Sequence, residues 1–225
     1  MSSTEFSAPW VKAPPPLDSY RSIFKWGAPD RSKHPDKHWL SLLTQALGLN
    51  DVDLRVCKNT GEDAVKPLPP TRLDAEQLAR LKLMVGDGNV LTDDYSRARY
   101  SCGKTMMDLM RLRAGVVEHP PDAVVRPRSL EDVRDLMEWC NAVGVPITPY
   151  GGGSSVTRGV EPMMGGIVLD MATHMNRVLG LDIEDQTVTV EAGISGPALE
   201  AALNEAMSRY GAPHAFTCGH FPQSF

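Results

Sequence analysis

The sequence predicts an α+β chain, with a helical amino-terminal segment followed by a strand–helix–strand unit and further short strands. Three observations carry this expectation. Apolar residues recur at helical spacing in several short windows before residue 118. Past His119-Pro120-Pro121 the pattern changes to short β-prone runs around one long amphipathic stretch. Three consecutive glycines, Gly151-Gly152-Gly153, then follow directly on one of those runs.

The first stretch holds Pro14-Pro15-Pro16, has no period, and reads as a surface-draped lead-in. From Asp36, the residues Trp39, Leu42, Leu43, Ala46 and Leu47 recur at helical spacing, and Gly48 stops the run. Val65 to Pro70 is a Pro-rich linker. Asp74 caps a helix running through Leu83, with Leu78 and Leu81 expected to face inward. Another helix is expected from Thr105 to Arg113. Its Met106, Met107 and Met110 read as packing residues rather than a ligand face. Residues 1–118 thus form a helix-and-loop region, and residues 119–225 a second unit.

In that second unit Ala123-Val124-Val125 is a short strand. Ser129 is placed as an N-cap, and Glu131 and Asp132 sit in the first turn, where the helix dipole favours acids. Val133, Leu136, Met137, Cys140 and Val143 make one apolar stripe, and Gly144 ends the helix. Val145 to Pro149 reads as the returning strand, and a unit of this length normally makes its two strands parallel. Further strands are expected over 166–170, 178–182 and 187–191. An amphipathic helix carrying Leu199, Ala202, Leu203 and Ala206 closes the series.

Composition narrows the function classes. The chain has 225 residues, is 42% hydrophobic, and carries a formal net charge of −5, so no basic surface attracts nucleic acid in bulk. No apolar run approaches the ~20 residues of a membrane span, and the first residues lack the pattern of a secretory signal. The four cysteines (Cys57, Cys102, Cys140, Cys218) are far apart with no C-x-x-C pair, which fits a reducing, cytoplasmic setting and no zinc site.

Glycines after a strand let the backbone approach a ligand and turn its N–H groups toward an anion, and Ser154 and Ser155 add hydroxyls. No new strand begins until Gly166, so the loop is long for a mere connector. It is not a Rossmann fingerprint, because no helical pattern follows Gly153. Nor is Cys102-Gly103-Lys104-Thr105 a phosphate-binding P-loop, since Ala98 stands where that motif needs glycine.

Several spaced segments agree with one family. They are Pro149-Tyr150-Gly151-Gly152-Gly153-Ser154-Ser155, Gly159, Ile167-Val168-Leu169-Asp170, Met175-Asn176-Arg177-Val178, Val190-Glu191-Ala192-Gly193 and Leu199-Glu200. Together they resemble the FAD-linked oxidase domain of the vanillyl-alcohol oxidase and p-cresol methylhydroxylase type. Trp26-Gly27, Arg111-Leu112-Arg113-Ala114-Gly115, Pro121 to Pro127 and Gly219 to Phe225 look like the alkyldihydroxyacetonephosphate synthase branch. The resemblance implies FAD as cofactor, with the pyrophosphate held by Pro149, Tyr150, Gly151, Gly152, Gly153, Ser154, Ser155 and Gly159. Pro222, Gln223, Ser224 and Phe225 are implied to approach the flavin as well. Ser154 replaces the commoner threonine and keeps the hydroxyl.

The implied chemistries are two: an ether-lipid-type synthase acting on an acyl-dihydroxyacetonephosphate-like substrate, or a 2-hydroxy-acid oxidase or dehydrogenase. A non-catalytic remnant is the competing class. No catalytic residue is identified, and members of the family are more than twice this length. The chain is therefore expected to be an amino-terminal part that is inactive alone, binds FAD weakly and exposes strand edges and apolar faces. A homodimer is a further expectation for the full-length protein. Among other candidates, His34-x-x-x-His38 reads as a solvated cluster because Pro35 interrupts it. Cys218 and His220 neighbour each other without an assigned role. Arg111, Arg113, Arg126 and Arg128 are as well explained by solvation or ion pairing as by phosphate steering.

Overall fold

The computed structural model describes residues 15–23, 36–54 and 59–218. Helix α1 (Tyr20–Ile23) is followed by α2 (Lys37–Leu47), α3 (Ala75–Val85) and a single 3-10 turn at Asp87–Asn89. Strand β1 (Val90–Leu91), helices α4 (Asp94–Arg99) and α5 (Met106–Arg113), and strand β2 (Ala123–Val125) come next. Then follow α6 (Leu130–Val143), β3 (Ile147–Tyr150), β4 (Ile167–Asp170), the strands β5 (Val178–Asp182) and β6 (Thr187–Val190), and helices α7 (Gly196–Asn204) and α8 (Ala206–Tyr210). The expected α+β class is what folds.

The helix ends follow their capping residues. The side chains of Asp36, Asp74, Thr105 and Ser129 each accept a backbone N–H in the first turn of their helix. Gly48 and Gly144 close α2 and α6 in the left-handed conformation, which glycine adopts without a Cβ penalty.

The main sheet runs β1-β2-β4-β3, with β1 antiparallel to β2 and the other pairs parallel. The expected strand–helix–strand unit is present, but β4 lies between its two strands instead of leaving them adjacent. Both central strands are buried throughout, as their unbroken apolar runs require. The edge position of β3 is what tolerates Pro149, whose ring nitrogen has no N–H to donate. Residues 178–190 form a separate antiparallel hairpin of β5 and β6.

Alternation along the strands divides the core in two. One face of the sheet carries Ala123, Val125, Ile167 and Leu169, covered by Leu81 and Val85 of α3 and Leu136 and Cys140 of α6. The other carries Val124 and Val168, covered by Tyr100 and Tyr150. Leu73, Leu81, Val85 and Val90 share the first cluster with residues beyond 119, so one core draws on both sides of position 118. A satellite cluster of Tyr20, Ile23, Ala98 and Leu112 joins α1, α4 and α5.

On three helices burial is narrower than the apolar spacing, and the reading of Met106, Met107 and Met110 as packing residues is corrected. No residue of α2 is buried, and Trp39, Leu42 and Leu47 are exposed. The α2 helix is amphipathic, but nothing among the described residues covers its apolar face. Met106, Met107 and Met110 likewise lie exposed on α5, which buries Asp108 and Leu112 instead. On α6 the inward face centres on Leu136 and Cys140, and Met137 and Val143 point outward. A stripe read from spacing alone is wider than the contact a small sheet offers. Strand β1 and helix α4 are not announced by the sequence, because runs this short carry too little periodicity.

Candidate functional site

The glycine loop leaves the carboxyl end of β3, beside the carboxyl end of β4. Crevices at the carboxyl ends of parallel strands are where open α/β sheets bind ligands. Tyr150, the last residue of β3, does not face that crevice. Its ring is 6% exposed, packed beneath the loop with the Tyr100 ring edge-on at 4.7 Å. Its hydroxyl donates to the Cys102 carbonyl at 3.4 Å, and burial raises its pKa. Gly153 is buried above it with φ +65°, and a Cβ there would overlap the Tyr150 phenol. The loop therefore turns over an aromatic floor that only glycine permits.

What the loop presents outward is backbone. Among the described residues, the N–H groups of Gly152, Gly153, Ser154 and Ser155 meet no acceptor. Ser154 is exposed, and its hydroxyl has no partner among the described residues either. The Ser155 Oγ accepts the Gly159 N–H at 3.0 Å and the Thr157 N–H at 3.4 Å, folding the second half of the loop back while its own proton remains free to donate. Gly159 thus spends its N–H on closing the loop. Pro149 is exposed at the sheet edge. A row of unsatisfied N–H groups and hydroxyls with no carboxylate among them is chemistry suited to a phosphate. The pyrophosphate of FAD suits this donor set, and the Gly152 to Ser155 backbone with the hydroxyls of Ser154 and Ser155 are the groups that would hold it. Pro222, Gln223, Ser224 and Phe225 lie outside the described residues.

Beneath the loop is a buried acid, Asp170, to which the sequence pattern assigns no role of its own. Asp170 is 1% exposed on the same sheet face as Val168. Its carboxylate accepts from the Tyr100 hydroxyl at 2.8 Å, the Thr173 hydroxyl at 2.5 Å, the Ala172 N–H at 3.0 Å and the Arg126 Nε at 3.3 Å. Burial, with the Asp170 charge added, pushes the Tyr100 hydroxyl up to about 12, so it stays a donor. An acid closing the apolar run Ile167-Val168-Leu169 was the available signal.

A second polar cluster joins Glu118, His119, Arg158 and Glu161. The Glu161 carboxylate takes two bonds from Arg158, at 2.5 and 2.6 Å, and meets His119 Nδ1 at 2.6 Å. Burial alone would raise the Glu161 pKa, but these hydrogen bonds outweigh it and hold it below its ordinary value. Glu118, His119 and Glu161 have the spacing of a metal group, yet Arg158 already occupies the central carboxylate.

The arginines are mostly accounted for by ion pairs: Arg111 with Asp108 and Glu118, Arg126 with Asp170, and Arg128 with Asp132. His38 is exposed on α2, and His34 lies outside the described residues. The Cys218 thiol donates to Glu200 at 2.9 Å, which raises its pKa, and His220 is again outside the described residues. Among the described residues, no helix is long and apolar enough to cross a membrane.

Comparison with known proteins follows the same geometry. Residues 121–220 match the family described as FAD binding domain. The chain is 36% identical over 171 residues to an alkyldihydroxyacetonephosphate synthase of Trypanosoma brucei brucei, covering 74% of this chain and 26% of that protein. It is 34% identical over 171 residues to a mitochondrial D-lactate dehydrogenase [cytochrome] of Arabidopsis thaliana, covering 76% of this chain and 28% of that one. A solved alkyldihydroxyacetonephosphate synthase superposes with TM-score 0.58 at 32% identity, over 62% of this chain and 26% of its own. The chain spans about a quarter of the length of the relatives it matches.

Proposed function

Because residues 121–220 belong to the FAD binding domain family, we propose that this chain is the FAD-holding part of a flavin-dependent enzyme of the alkyldihydroxyacetonephosphate synthase type. The observation that carries the FAD-holding role is the row of unpaired N–H groups from Gly152 to Ser155 over the Tyr150 floor. Bound FAD supplies a redox-active ring system, and the chain supplies binding, orientation and local electrostatics. The loop captures the pyrophosphate through backbone dipoles, which a chain of net charge −5 needs because its overall field does not attract an anion. Synthases stand among both the sequence relatives and the solved structures, which supports alkyl–acyl exchange on an acyl-dihydroxyacetonephosphate-like substrate. The similarity to D-lactate dehydrogenases supports a second reading, oxidation of a 2-hydroxy acid.

Two measurements test this. Titration of the chain with FAD is expected to give saturable binding with Kd in the micromolar range, about −8 kcal/mol, and inorganic pyrophosphate should compete. No binding at millimolar FAD sinks the cofactor reading. The full-length protein loaded with FAD is then assayed for exchange of acyl for a fatty alcohol and for dye reduction by D-lactate or glycolate. Exchange without dye reduction supports the first reading, and the reverse supports the second.

A further inference from the structure

The segment Cys102-Gly103-Lys104, which fails as a phosphate-binding motif of its own, lies against the inner side of the glycine loop. The Lys104 N–H donates to the Ser155 carbonyl at 2.8 Å. The Cys102 carbonyl accepts the Tyr150 hydroxyl. Between them Gly103 is buried, and a Cβ added to it would overlap the Ser155 carbonyl oxygen, with the Ser155 carbonyl carbon at 3.1 Å. Both colliding groups are backbone, so neither can rotate away. Tyr100, two residues before Cys102, ties the segment to the buried sheet through Asp170. On the other side, Thr105 caps α5, so the segment is anchored at both ends.

From this contact we infer that Cys102-Gly103-Lys104 positions the pyrophosphate loop, with Gly103 as the residue whose lack of a side chain sets where Ser155 sits. The inference rests on the FAD reading above. The segment touches no ligand itself. It fixes one end of the run of free N–H groups, so that they converge on an anion without having to be ordered by it, and preorganisation of this kind is worth affinity. This gives the helical amino-terminal region a part in cofactor binding that lies outside the matched residues 121–220.

The test uses the full chain, with equilibrium titration of FAD and competition by inorganic pyrophosphate, at a temperature where circular dichroism shows each variant folded. Gly103→Ala should weaken FAD and pyrophosphate together by about tenfold. Gly88→Ala, where an added Cβ meets nothing within 4 Å, should bind as the wild type does. A merely structural role for Gly103 would lower the melting temperature and leave both constants unchanged, and that result overturns the inference.

If Gly103→Ala does not fold, the decision passes to Lys104. Lys104→Pro deletes the N–H that reaches Ser155, whereas Lys104→Ala keeps it and loses only the ammonium contact to the Ile23 carbonyl. The inference requires the same tenfold loss in the proline variant and none in the alanine variant, and equal affinities in the two overturn it. A wild-type chain that does not bind FAD removes the reading beneath the inference. A wild type that binds with pyrophosphate competing, alongside variants that bind equally well, removes the inference alone.

Discussion

Asp170 offers a prediction whose sign, not just its size, is fixed by the structure. Its carboxylate is 1% exposed and takes four donors, of which the Tyr100 hydroxyl at 2.8 Å is itself on a side chain only 6% exposed. Removing the acid by Asp170→Ala strands the Tyr100 hydroxyl in the interior, whereas Arg126, Ala172 and Thr173 are exposed enough to turn to water, and should cost about 1–3 kcal/mol. Removing only the hydroxyl by Tyr100→Phe leaves the ring packed on Tyr150 and costs the bond to a charged acceptor, about 1.5–3 kcal/mol. In the Asp170→Ala background the same Tyr100→Phe change deletes an orphaned buried hydroxyl. There it should stabilise the protein by about 1 kcal/mol, because an unsatisfied buried donor carries a penalty of that order. Urea unfolding followed by circular dichroism on the four proteins of the cycle measures all these terms. If Tyr100→Phe costs the same amount in both backgrounds, the two groups are not coupled and the buried network does not hold the sheet beneath the loop.

Gly153→Ala forces an alanine into φ +65°, about 1–2 kcal/mol, and drives its Cβ into the Tyr150 phenol, so unfolding should show a larger loss than that and FAD titration should show little binding. On α2, Leu42→Glu should change stability by no more than about 0.5 kcal/mol, since Leu42 is 56% exposed, whereas Leu81→Ala in the core should cost about 2–5 kcal/mol by the same urea assay. Asp122, Asp132 and Glu161 all have folded-state pKa values below their ordinary 3.8 and 4.5. For Asp122 and Glu161, burial opposes the shift, but hydrogen bonds from Arg72 and Gly166, and from Arg158 and His119, outweigh it. For Asp132, the Arg128 hydrogen bond leads. A depressed carboxyl contributes stability that is present above its unfolded value and is lost as pH falls through its folded value. Thermal melts should therefore be flat down to about pH 4.5 and fall steeply below it, and a melting temperature unchanged at pH 3 would contradict these pairs.

Elements with local chemistry were legible in the sequence. Asp74, Thr105 and Ser129 announced helix starts because a capping oxygen acts within three residues. The apolar runs 123–125 and 167–169 announced strands, and the structure buries both of them. What spacing could not convey was which part of an apolar stripe finds a partner. Trp39 and Leu42 have the period of a core face, yet nothing among the described residues packs on it. The same limit hid the floor of the site. Tyr150 was read as part of the loop, whereas its neighbours Tyr100, Cys102 and Asp170 arrive from segments that only tertiary contact brings together.

The loop could be recognised from sequence for a physical reason that also limits what it reveals. Its proposed anion contacts are main-chain N–H groups, which every residue but proline carries, so recognition is written mainly as the absence of side chains. Gly153 must lack one to clear Tyr150, and Gly103 must lack one to clear Ser155. A glycine triplet after a strand is visible without any structure, and a glycine fifty residues upstream that clears the same loop is not. Substrate choice has the opposite requirement, since it depends on side chains placed around the reacting group. None of the residues assigned to the loop is of that kind. The pyrophosphate site therefore argues strongly for the cofactor and is neutral between alkyl–acyl exchange and hydroxy-acid oxidation.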